Sequence, residues 1–396
     1  MTAKQWQILC VLFVARFALG FQFQSAGSVT PFLITDFSMD YRQVGALIGL
    51  FMLPGIVLAI ASGYVGNRWG DKIAVLFGLV LMSVGGVLTS VADSYTVLAA
   101  GRLTSGAGAT FLFVLMAKMV IDWFDRRTLF FAMSIFVLGW PIGIAAGQAA
   151  QPVLADGFSW RLVFFLTSVG CLVAYTALAF AYHQPNRFEP ASAGPRTKRR
   201  LGLSDSEFLL IQIAGIIWMC LNGAYVIFLS FGPILLMEQG ISAPDSGLLT
   251  SVISWSFMIA LPLGGYVAYR FNVPNTVMIV GLVVATCAGA YAPYAANIGT
   301  AFLFFGLALA FATPVIATLP ARLLQPDNRA VGLGIYFAWH FIGAALLPIL
   351  AGQLKDATGS AAGSLLLGAY LLLICLVLLL ALQFATGRSP YARVRA

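Results

Sequence analysis

Residues 63–70 read GYVGNRWG, and residues 265–272 read GYVAYRFN. The two octapeptides lie 202 positions apart. The same offset carries Asp125 and Arg127 onto Asp327 and Arg329. Two matches at one offset mark an internal repeat. What repeats is set by the rest of the chain. Hydrophobic residues make up 60% of its 396 residues and charged residues only 9%. Soluble domains carry about 25% charged residues. This chain cannot cover itself with charge, so its outside faces lipid.

A helix needs about 20 mostly apolar residues to cross the hydrocarbon core. Twelve segments qualify: 6–33, 41–66, 72–93, 95–121, 128–153, 160–182, 206–237, 245–269, 275–293, 298–321, 330–353 and 362–386. The first exceeds the apolar core of a cleavable leader, about 7–15 residues, and reads as a retained span. The one long polar break, 183–205, is rich in Pro, Ser and charge and reads as a flexible linker. It leaves six spans on either side. The expected organisation is a bundle at 1–183, a cytoplasmic linker at 184–205, and a second bundle with a short tail at 206–396. The octapeptides then close spans 2 and 8, and the Asp/Arg pairs follow spans 4 and 10. An even number of spans per half gives both halves one topology, a parallel repeat about an axis along the membrane normal. The expected fold class is an all-α membrane protein, with twelve transmembrane helices in two parallel-repeat six-helix bundles.

The net charge is +8. Seventeen of the 22 lysines and arginines fall on the side that holds the N-terminus. That bias places both termini in the cytoplasm. The basic excess therefore sets topology, and nucleic-acid binding is not expected. The five cysteines all sit inside apolar segments without disulfide or metal spacing. No phosphate-binding loop, nucleophile elbow or HExxH pair occurs. The chain is read as no enzyme, with no cofactor and no metal.

Ionisable groups at mid-membrane are costly and mark function by default. Arg16 lies ten residues past Trp6, and Arg102 about eight past Ser94. Each is therefore roughly 12–15 Å into its span. Arg16, Gly20, Phe23 and Gln24 share one helix face. A guanidinium near an amide suits a carboxylate or similar planar anion. Arg102 fits either packing or anion contact. No Asp or Glu falls deep within a span, which disfavours cationic cargo. His340, one turn after Tyr336, suits a coupled proton or a satisfied core histidine. Trp218, Asn222 and Tyr225 share a face of helix 7. Trp255 and Trp339 are further candidate aromatic walls. Gln22 lies on a different face from Arg16 and, like Gln148, is a candidate contact to the other half. The expected substrate-binding set is Arg16, Gln24, Arg102, Asn222, Tyr225, Tyr336 and His340.

Three stretches carry a family resemblance. The loop GYVGNRWGDK (63–72) resembles the major facilitator signature between helices 2 and 3, commonly written GxxxDRxGRR. Arg102-Leu-Thr-Ser-Gly106-Ala-Gly108 resembles its helix 4 signature, and Gly139-Trp-Pro141-Ile-Gly143 with Gly147 its helix 5 signature. More finely, FQFQSAGSVTPFL (21–33), MLPG (52–55) and NRWGDK (67–72) resemble the cyanate/2-nitroimidazole permease-like branch. The resemblance implies a monomeric secondary carrier in an inner membrane, rocking between two access states. It implies helices 1 and 4 around the cavity of the first half. It also implies a latch, here drawn from Asn67, Arg68, Asp71, Asp125, Arg127, Asp327 and Arg329. Asn67 stands where the family carries an acid, and Asp71 where it carries a base. The Lys118 and Asp122 pair, four apart, reads as part of the same gate. The expected function is transport of a small anion, carboxylate or cyanate-like, by exchange or proton-linked symport. The alternatives are efflux of neutral or amphiphilic drugs or metabolites, and a receptor of transporter fold. Flux in liposomes separates the carriers from the receptor.

Overall fold

The computed structural model describes residues 2–125, 128–183, 203–325 and 328–385. Every regular element among them is helical. Twelve helices are long and apolar enough to span a membrane: Ala3–Ser28, Tyr41–Gly66, Asp71–Ser90, Tyr95–Trp123, Phe131–Gly157, Trp160–Ala181, Asp205–Glu238, Ala243–Arg270, Pro274–Tyr294, Ile298–Leu323, Val331–Thr358 and Ala361–Phe384. They are helices 1 to 12 below. Each expected span has its counterpart, with end shifts of up to five residues. The shifts have local causes. Helix 1 stops at Ser28, not 33, because a break at Val29 precedes Pro31 and a short helix, Thr30–Phe37, follows. Helix 2 is interrupted at residues 51–54 by Pro54.

The packing repeats with the sequence. In the first half helix 1 packs on 5 and 6, helix 3 on 4 and 6, and helix 2 on 4. In the second, helix 7 packs on 11 and 12, helix 9 on 10 and 12, and helix 8 on 10. The offset of 202 extends to finer detail. Thr2 and Gln5 form a capping box at the start of helix 1, and Ser204 and Glu207 form one at the start of helix 7. Gly70 and Asn272, one offset apart, both take positive φ, at 91° and 53°. Gly70, with ψ at 143°, holds a region that only glycine enters readily. Outward side chains such as Phe180 and Phe384, 83% and 84% exposed, are the lipid-facing surface expected of so apolar a chain.

The end of the bundle where helix 1 begins is here called basal, the other apical. The halves meet through helix 2 against 11 and helix 5 against 8. These crossings are tightest at the apical end. A Cβ on Gly49 would strike the carbonyl oxygen of Ala345, and one on Gly247 would meet Pro152 and the Gln148 carbonyl oxygen. Small residues let backbones approach this closely in lipid. The Asp356 carboxylate of helix 11 accepts from the Tyr41 and Arg42 backbone N–H groups, at 3.0 and 2.8 Å. A second-half side chain thus caps a first-half helix, where an anion meets the positive end of the helix dipole. Beside it Lys355 pairs with Glu238 and lies 5.0 Å over the Tyr41 ring.

The expected latch looks different in the structure. Asp71 pairs with Lys118, which also reaches Asp122 at 3.3 Å. Both pairs stay within the first half: Asp71–Lys118 braces helix 3 to helix 4, and Lys118–Asp122 lies along helix 4 itself. Arg68 is exposed, and Asp125 accepts from the Thr128 N–H and hydroxyl at 2.9 and 2.6 Å. Arg127 and Asp327 lie outside the described residues, as do the side chains of Asn67 and Arg329.

The apical crossing gives a direct test. Gly49→Ala is expected to cost about 1–3 kcal/mol of stability by overpacking. Gly170→Ala, with nothing within 4 Å of its added Cβ, is expected to be neutral or mildly stabilising. Thermal unfolding of both variants in detergent checks the contrast.

Candidate binding site

A cavity of about 650 Å³ lies between the halves in the basal half of the bundle. It is lined by helices 1, 2, 4 and 5 from the first half and 7, 8, 10 and 11 from the second. Four of the seven expected substrate-binding residues line it, Arg16, Asn222, Tyr225 and His340, together with Trp218 from the same face of helix 7. They come from helices 1, 7 and 11.

Arg16 sits in an aromatic box. Its guanidinium carbon lies 4.7 Å from the Phe113 ring centroid, 5.2 Å from Phe136 and 5.8 Å from Trp140. Ring faces stabilise a cation without neutralising it. Its Nε and Nη1 are buried with no hydrogen-bond partner. Two more groups share this condition beside the same cavity, Trp218 Nε1 and His340 Nδ1. The His340 ring is 6.4 Å from both the Phe113 and Trp218 rings. Asn222 donates from Nδ2 to the Trp218 carbonyl at 2.8 Å, and the Tyr225 hydroxyl meets Ser254 Oγ at 2.8 Å.

Arg102 is placed elsewhere and is spent on the protein. It is 2% exposed. Its Nε donates to the Leu47 carbonyl at 3.1 Å, Nη1 to Gln22 at 3.1 Å, and Nη2 to Phe23 at 3.1 Å. The Phe51 ring lies 4.6 Å from its guanidinium. It braces helix 4 against helices 1 and 2 and does not line the cavity. Tyr336 is also removed: it stacks behind Trp218 at 5.4 Å and donates to the Ile316 carbonyl at 3.1 Å. Gln24 is buried in the apical half, because Gly20 on the shared face packs against the Trp140 carbonyl of helix 5. Gln22 bonds to the Met82 carbonyl at 2.9 Å, within its own half. Gln148 does reach across, donating to the Leu229 carbonyl at 2.9 Å. Trp339 is tied to Gln212 at 2.5 Å, and Trp255 is partly exposed on the outside.

The aromatic box of Phe113, Phe136 and Trp140 was not among the expected residues. Their spacing looks like ordinary packing. Trp218, already grouped with Asn222 and Tyr225, also lies one repeat offset after Arg16. The two halves therefore present different groups from one equivalent position.

The family model described as Major Facilitator Superfamily matches residues 12–244 and 208–394. A hexuronate transporter of Bacillus subtilis (strain 168) is 24% identical over 271 residues, 66% of this chain and 64% of that protein. The 4-hydroxybenzoate transporter PcaK of Pseudomonas aeruginosa is 20% identical over 389 residues, 87% of this chain and 86% of that one. Monocarboxylate transporter 12 of Xenopus laevis is 24% identical over 375 residues, 87% and 81% of the two chains. Among solved structures, a bacterial homolog of the human lysosomal transporter Spinster, inward-facing and unoccupied, aligns with TM-score 0.82 at 15% identity over 100% of this chain and 99% of that one. A point mutant of the nucleoside transporter NupG aligns with TM-score 0.73 at 15% identity, covering 97% and 99%. These matches reach the superfamily and not the cyanate-type branch within it. With the family model on both halves and the fold of its carriers, the chain belongs to the major facilitator superfamily, a multi-pass membrane transporter and not an enzyme.

Proposed function

We propose that the chain is a secondary carrier of a small organic carboxylate, working by alternating access between its halves. One observation carries this reading: the Arg16 guanidinium borders the central cavity with Nε and Nη1 unpaired. A buried cation without a partner is strongly unfavourable, and an anionic cargo removes that penalty. Trp218 Nε1 and His340 Nδ1 add unpaired groups at the same cavity. Among the described residues no Asp or Glu lines it, which disfavours a cationic cargo. The cargoes named for the similar hexuronate, 4-hydroxybenzoate and monocarboxylate transporters are carboxylates, which supports the same class here.

The Lys/Arg bias supports a placement in an inner membrane with the basal end in the cytoplasm. The cavity then opens inward, beneath the apical seal. Latch residues other than the Asp71–Lys118 brace act when the halves rock the other way. An inside-negative potential opposes anion uptake by about 2.3 kcal/mol per charge per 100 mV. Uptake then needs exchange for another anion or a coupled proton, and His340 is the titratable histidine at the cavity. A second reading, export of a neutral amphiphile, is favoured by the mainly aromatic and aliphatic lining.

Arg16→Gln decides between the two. A hydrogen bond to a charged group contributes about 1.5–3 kcal/mol. The variant is therefore expected to bind carboxylates roughly 10- to 150-fold more weakly. The readout is thermal stabilisation of the purified protein by a carboxylate panel, with wild type beside it. If neutral lipophilic compounds stabilise both forms equally and no carboxylate does, the export reading replaces this one. His340→Gln separates the coupling modes: anion exchange in proteoliposomes is expected to persist, and pH-driven net uptake to be lost. Asp356→Ala and Gln148→Leu remove contacts that join the halves at the apical end. Both are expected to raise labelling of a cysteine placed at Gly27 from the apical side. Unchanged labelling would count against alternating access through this seal.

A further inference from the structure

We infer that the preferred cargo is a flat, apolar-bodied monocarboxylate of the aromatic acid class, and that dicarboxylates and sugar acids are rejected. This rests on the carboxylate-carrier reading and narrows it by what the cavity can pair.

Charge comes first. Arg16 is the one Lys, Arg, Asp or Glu among the described residues lining the cavity. One carboxylate finds a counter-ion there. A second carboxylate on the same molecule would leave water with none, a costly transfer.

Hydroxyl capacity comes next. The neutral hydroxyls at the cavity are Tyr225 and Thr313, and both are engaged. Tyr225 is bonded to Ser254 Oγ at 2.8 Å, and Thr313 donates to the Leu309 carbonyl at 2.7 Å. Asn222 already gives Nδ2 to the Trp218 carbonyl at 2.8 Å. A sugar acid brings more hydroxyls to this lining than the two unpaired neutral groups, Trp218 Nε1 and His340 Nδ1, can meet. Each one left unpaired weakens binding by roughly 5- to 150-fold.

Beyond Arg16, Trp218 Nε1 and His340 Nδ1, what the cavity offers is ring faces. Phe113 lies edge-on to Trp140 with centroids 4.7 Å apart, and 6.2 Å from Phe341 of the other half. Tyr225 and Phe257 form a second wall, 4.8 Å apart. Phe113 also carries the Arg16 guanidinium on its face. The carboxylate site and the ring slot therefore share one residue. A benzoate-type ion can pair its charge with Arg16 while its ring meets these walls, since aromatic rings attract one another edge-to-face or offset. Phe113 is then a specificity-determining residue.

The test is competition in proteoliposomes carrying the full chain, with benzoate counterflow as the measured flux. Phthalate adds a second carboxylate to the same ring, glucuronate replaces the ring with hydroxyls, and acetate removes the ring. Benzoate is expected to compete at least about tenfold better than phthalate or glucuronate, from the unpaired-group cost above. Phe113→Ala is expected to weaken benzoate about three- to tenfold, and to weaken it more than acetate, which meets the shared carboxylate site but no ring wall. If glucuronate or phthalate binds best, and does so only with Arg16 present, this inference falls while the carboxylate-carrier reading stands. If none of the four moves or competes, the carrier reading itself fails and takes this one with it. The wild-type series decides the matter even where Phe113→Ala does not fold.

Discussion

Inside hydrocarbon, a backbone carbonyl that loses its helical donor has no water to turn to. That constraint shapes where the two halves meet. Pro233 has no N–H, so helix 7 leaves the Leu229 carbonyl without its usual partner four residues on. Gln148 of helix 5 supplies the missing donor at 2.9 Å. The same logic places Asp356 on the bare N–H groups that open helix 2. Each half thus finishes hydrogen bonding that the other leaves open. These bonds, with the glycine crossings at Gly49 and Gly247, seal the apical end and leave the cavity beneath.

Two arginines within the spans meet opposite fates. Arg102 reaches three backbone carbonyls and a serine hydroxyl, so its charge is dispersed over helices 1 and 2. Arg16 has ring faces on several sides and no acceptor for two of its nitrogens. A guanidinium that is fully bonded holds a fold together. One that is boxed by aromatics is held in place without being neutralised, and its charge stays on offer.

The twelve spans were legible because lipid demands long apolar runs, and the halves because one octapeptide and one Asp/Arg pair recur. Arg16, Asn222, Tyr225 and His340 were legible as polar groups at mid-span. The positions of Arg102, Tyr336 and Gln24 were not. Periodicity tells which residues share a helix face, but not which neighbour covers it. Gly20 shows this: its missing side chain lets helix 5 cover the face of helix 1 that Gln24 shares with Arg16. The aromatic box was hidden for another reason. Phe113 and Phe136 are ordinary residues in such a chain, and their meaning comes only from Arg16 between them. The Asp71–Lys118 brace joins residues 47 apart, beyond what helical spacing can pair.

The capping boxes at Thr2 and Ser204 reach beyond the finished molecule. A chain leaves the ribosome in order, and its first half is built long before its last span exists. Helix 7 carries its own start signal in Ser204 and Glu207, so its beginning is written locally. Glu207 then waits for the Gln325 N–H and the Asn328 amide, which it holds at 3.0 and 2.8 Å. Those residues are made more than a hundred positions later. The second half is thus begun by a local rule and closed by a distant one, with the same carboxylate serving both moments of its assembly.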